Sequence, residues 1–146
     1  MSGSTDALLL AAAALAVAAP LVAAAAASLG VRRPSPRGLA VTAAVVSLLA
    51  SLAITLVWSR SDGTPVAFGD RLGGGAVVFI DGITAVLLPY VAVVELAILL
   101  VAPRRSLEPA AVSRMLFGAA ATSAVFLTTH PLLLIVLWCA TALPTW

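Results

Sequence analysis

The chain has 146 residues, 62% hydrophobic and only 10% charged, with a net charge of +2. A soluble domain carries about 25% charged residues; at a mean hydropathy of +1.16 the solvent for most of this chain must be lipid. The small net charge argues against nucleic acid, all the basic residues are Arg, and the single Cys excludes an internal disulfide.

Met1–Asp6 is polar. Residues 7–29 are then uncharged, and a bilayer core of roughly 30 Å takes about 20 helical residues. Pro20 lies inside this first span and predicts a kink. Ala-x-Ala sequences near Ala27 also suit a secretory leader. No basic segment precedes the run, however, and it is about twice the length of a leader's apolar region, so an uncleaved span is expected. Arg32, Arg33 and Arg37, with Pro34 and Pro36, form a basic connector. Residues 39–58 make the second span, with Trp58 at the interface. In the polar, Gly-rich stretch that follows, Val66-Ala67-Phe68 and Ala76-Val77-Val78-Phe79 read either as a small β-hairpin outside the membrane or as an irregular loop.

Asp81 stands where an N-cap carboxylate is favoured, just ahead of the third span, residues 83–102. Pro103, Arg104 and Arg105 end that span. Glu108-Pro109 leads into the fourth, residues 112–129, with Arg114 placed to snorkel from its first turn. Proline lacks a backbone donor and disfavours helix at the residue before it, so Thr128-Thr129-His130-Pro131 predicts a turn. The fifth segment, residues 132–146, is too short at about 1.5 Å per residue to reach the far interface. The fold class is therefore all-α: polytopic transmembrane helices, four full spans plus a short or truncated fifth, in one membrane domain over residues 1–146.

Arginine placement sets an expected topology. The first and third connectors hold Arg32, Arg33, Arg37, Arg104 and Arg105, with Arg114 beside them. The second holds Arg60 and Arg71, offset by Asp62 and Asp70. The positive-inside rule puts the first group in the cytoplasm, with the N-terminus, Asp81 and His130 toward the outer face of the plasma (inner) membrane.

Glu95, near the middle of the third span, is the most expensive side chain. A charge at that depth costs about 2.5–3.5 kcal/mol or more on insertion scales. It is either part of a proton or ion relay or a protonated or snorkelling carboxyl at a subunit contact. His130 is a second relay candidate, or an ordinary interfacial histidine. Cys139 is expected to be a small packing residue. One His and one Cys make no metal set. Gly73-Gly74-Gly75 lacks the strand-to-helix context of a phosphate loop, and no nucleophile–base pair is visible. No cofactor is expected.

From Phe79 to Trp146 the chain resembles the beginning of the antiporter-like membrane subunits, which include the large proton-channel subunits of respiratory complex I and their relatives in Mrp-type cation/proton antiporters. Phe79-Ile80-Asp81-Gly82-Ile83-Thr84 is similar to the Asp-Gly-Leu-Ser opening of that family's third helix. Leu132-Leu133-Leu134 leads to Trp138, and Leu143-Pro144-Thr145-Trp146 is similar to the family's Leu-Pro-Ser-Tyr ending.

The resemblance covers about the first five helices of a much longer subunit. It implies a truncated or split subunit, without catalysis of its own, acting as a scaffold or half-channel in a larger proton- or cation-moving complex such as an NADH–quinone oxidoreductase. Its partners would be other membrane subunits and the bilayer. The family pairs Trp with Glu in its fifth helix, whereas Trp138 is followed by Cys139, and the family's membrane lysines have no counterpart in a chain without Lys. Only Asp81 and Trp138 match, both as structural residues. The membrane partner of inorganic-carbon uptake complexes is also similar, and the missing glutamate suits it. The remaining alternative is a small, non-conducting membrane assembly protein.

Overall fold

A computed structural model describes residues 3–30, 35–60, 63–69, 75–103 and 108–142. Among these, five helices and one two-stranded sheet form: α1 (Gly3–Ser28), α2 (Pro36–Ser59), β1 (Val66–Phe68), β2 (Val78–Ile80), α3 (Gly82–Val101), α4 (Pro109–Leu127) and α5 (Pro131–Ala142). The first four helices are long and apolar enough to cross a membrane. Two of the helix starts fall where the sequence supplies a capping side chain. Ser35 accepts from the Gly38 N–H ahead of Pro36, and Asp81 accepts from the Thr84 N–H; both satisfy amides that a helix start leaves unpaired.

α1 packs against both α2 and α4. α2 also packs on α3, α5 lies on α4, and α3 and α4 touch more lightly. Alanine makes the α1 seams close: Ala23, Ala24 and Ala27 of α1 meet Ala40, Ala43 and Ala44 of α2, together with Leu99, Val112 and Leu116. A second cluster under the sheet gathers Leu9, Ile54, Val66, Ile80, Leu88 and Leu127. In lipid there is no hydrophobic drive between helices, so small residues that allow close approach, and hydroxyls that bridge helices, set this arrangement.

Two spans contain proline beyond their first turn, and both remain continuous helices. A proline has no N–H to give the carbonyl four residues back, which strands Ala16 in α1 and Ala85 in α3. α2 answers both. The buried Ser47 hydroxyl donates to the Ala16 carbonyl at 3.0 Å. The Thr55 hydroxyl reaches the Ala85 carbonyl and, at 3.1 Å, that of Ser51. Its single proton favours Ala85, the nearer oxygen.

The stretch after α2 forms the hairpin rather than a loop, with Val66 opposite Ile80 and Phe68 opposite Val78. The second strand begins at Val78, two residues later than the sequence pattern placed it. Ala76 is taken up by the turn between α4 and α5: its N–H donates to Thr129 Oγ1 at 3.1 Å, and its carbonyl accepts from the Thr129 N–H at 3.1 Å. Beside it, Gly75 has φ +125°, and a Cβ there would stand 2.8 Å from the Thr129 carbonyl oxygen, so only glycine fits.

Candidate functional site

The candidate site is the groove between α3 and α4. Val91, Val94, Ile98 and Leu99 of α3 face Met115, Ala119 and Thr122 of α4 across a cleft of about 290 Å³, and Glu95 projects into it. α3 and α4 are held together at the hairpin end, where the Thr84 hydroxyl donates to the Phe126 carbonyl at 3.1 Å. With the helical rise of about 1.5 Å per residue, Glu95 stands roughly 20 Å from the Gly82 end of α3 and roughly 9 Å from the Val101 end. It is therefore displaced from mid-span toward the arginine-bearing connectors. Its Oε1 is buried and meets no hydrogen-bond donor among the described residues.

The other sequence candidates gather at the opposite end. Asp81 is the N-cap of α3, its carboxylate 2.8 Å from the Thr84 nitrogen. His130 closes the α4–α5 turn. Its backbone N–H donates to Thr128 Oγ1 at 3.2 Å, and its Nδ1 faces the Leu133 N–H at 3.5 Å, the position of a cap on α5. The structure thus does not bring Glu95 and His130 together; Leu88 and Leu127 are among the buried apolar residues between their levels. Trp138 is 67% exposed on α5. Cys139 is exposed as well, which corrects the expectation of a packing residue. α5 rides on the outside of α4 with none of its residues buried, so its small side chains have no core to fill.

At the arginine end, the Arg37 guanidinium donates to the Leu100 carbonyl at 2.9 Å. That places a cation on one of the final carbonyls of α3, which are unpaired within the helix and carry its negative dipole end. Arg114 lines a pocket on the α1 side of α4, with Leu21, Ala24, Ser28 and Phe117. Arg32, Arg33, Asp62, Asp70, Arg71, Gly73, Gly74, Arg104, Arg105 and Leu143–Trp146 lie outside the described residues. Among the described residues no group of three His, Cys, Asp or Glu side chains could hold a metal.

Sequence reading found Glu95 but not Met115, Ala119 and Thr122 opposite it; their shared face, at steps of three and four residues, was the available signal. The chain matches no protein-family model, no curated protein and no solved structure.

Proposed function

We propose that this chain is an integral membrane subunit of the kind that begins the antiporter-like subunits. It acts as a scaffold or half-channel within a larger proton- or cation-moving complex of the plasma membrane, with its N-terminus outside. The observation that carries this reading is the separation of its titratable groups. A membrane proton path needs groups that gain and lose protons, linked by water or by one another. Glu95 lies toward the arginine end with no described partner, while Asp81 and His130 cap helices at the hairpin end. Arginine stays charged and cannot relay a proton. A carboxyl with nothing to hand its proton to among the described residues fits a subunit whose path is completed by other chains.

The test has two arms. The purified chain in liposomes, under an imposed pH gradient and potential, should show no proton flux above background. The affinity-tagged chain, extracted from its own membranes in mild detergent, should bring other membrane subunits with it. Robust conduction by the isolated chain, abolished by Glu95→Gln, would make it a minimal channel. Recovery of the chain alone would overturn the subunit reading. The inorganic-carbon uptake branch is the second reading, favoured by Cys139 in place of a carboxylate on α5; recovery of a large soluble zinc protein instead of ion-moving subunits would select it.

A further inference from the structure

The Glu95 groove has a shape, a depth and a charge, and together they specify an occupant. We propose that it seats a transmembrane helix of another membrane subunit carrying a lysine or arginine at the level of Glu95. The inference rests on the subunit reading above and adds where the partner docks and what it brings.

The walls are apolar and of graded size, with Val94 and Ile98 on one side and Met115 and Ala119 on the other. Ala119 and Thr122 leave room for close helix approach, which is how helices associate in lipid. The floor carries a carboxyl whose Oε1 meets no donor among the described residues, at a depth where an unmet charge is costly. A cation facing it would remove that cost.

Among its described residues this chain does not supply that cation. It has no lysine. Arg37 is committed to the Leu100 carbonyl, Arg60 caps the hairpin end of α2, and Arg114 lines the pocket on the α1 side of α4. A second copy docked by two-fold symmetry would set groove against groove and bring carboxyl to carboxyl. A lipid is a poor fit too: its ammonium group sits in the interfacial layer, and only acyl chain would reach a carboxyl roughly 9 Å down the helix.

The experiment places a photo-reactive amino acid at Val94 or Ile98 in the groove, and at Leu132 or Ile135 on α5 as comparison, in the full chain in its own membranes. The groove positions should yield adducts with one other membrane protein. The crosslinked peptide should come from a transmembrane helix containing Lys or Arg. Glu95→Gln should lower that yield about tenfold or more, as expected when one member of a buried charge pair is removed, and Glu95→Asp should restore part of it.

A readout without mutation guards against misfolding. The carboxyl O–H of Glu95 adds across dicyclohexylcarbodiimide to give a stable N-acylurea with no leaving group. Glu95 should be modified in the purified chain and protected in the intact assembly. Groove adducts only with lipid or with a second copy, alongside α5 adducts with another subunit, would overturn this proposal and leave the subunit reading standing. A crosslinked helix without a basic residue, or equal carbodiimide modification in both states, would also overturn it. No subunit adduct from any position would overturn both.

Discussion

The seams that α2 makes with α1 and α3 differ from the seam between α3 and α4 in one respect: whether polar groups inside the span are met by the chain itself. Along α2, each carbonyl stranded by a proline receives a hydroxyl, Ala16 from Ser47 and Ala85 from Thr55. Along the arginine half of the α3–α4 seam, the Glu95 Oε1 receives nothing among the described residues. Lipid offers no water to repair either defect. The first kind of defect is closed within the fold; the second stays open among the described residues.

The largest effect expected from this contrast is at Glu95. In the isolated chain, Glu95→Leu should raise stability by about 2 kcal/mol, because the cost of a carboxyl in hydrocarbon disappears and an apolar groove gains an apolar lining. Reversible unfolding in mixed micelles would measure it. A fall in stability would mean that Glu95 has an internal partner, and the contrast with the α2 seams would collapse.

The proline repairs come next. Thr55→Val removes the hydroxyl but keeps the shape and should cost about 1 kcal/mol, within the range of interhelical hydrogen bonds in membranes. In a Pro89→Ala background the same change should be nearly silent, because residue 89 then donates its own N–H to the Ala85 carbonyl. Ser47→Ala and Pro20→Ala should show the same coupling at Ala16. Two double-mutant cycles measure it. Additive effects would mean that the hydroxyls do not serve the prolines.

Much of the fold was legible because membrane spans are uniform apolar runs with abrupt polar ends. The four long helices, the Asp81 cap and the turn at His130-Pro131 all follow from local residues. The second strand was misplaced because Ala76 answers to Thr129, a partner far along the chain. Cys139 was misjudged because burial of α5 depends on neighbours that its own sequence does not encode. At the site, Glu95 was visible as a misplaced charge, yet its groove was not, since which face of α4 turns toward α3 is a packing outcome. The role of Ser47 and Thr55 was half-written: the prolines announce stranded carbonyls, but not which helix supplies the hydroxyl.

The weakest substitution tests the contrast most closely, because it changes a bond that looks the same. The Ser113 hydroxyl of α4 donates to the Ala24 carbonyl of α1 at 2.9 Å, a geometry close to that of Ser47 on Ala16. The difference is in the acceptor. Ala24 lies four residues before Ser28, which is not proline and supplies the helical N–H. A carbonyl oxygen has two lone pairs, so the Ser113 hydroxyl is a second donor on an oxygen already satisfied. Ser113→Ala removes the donor and its own polar group together, and strands nothing. The pocket beside it, about 370 Å³ and open toward Arg114 and Phe117, means that little packing is lost. The expected cost is about 0.3 kcal/mol, below the typical membrane hydrogen bond, and additive with Thr55→Val because the two sites share no partner. If Ser113→Ala proved as costly as Thr55→Val, a hydroxyl on a carbonyl would carry the same value wherever it lands. The account of α2 as the helix that repairs two prolines would then fail.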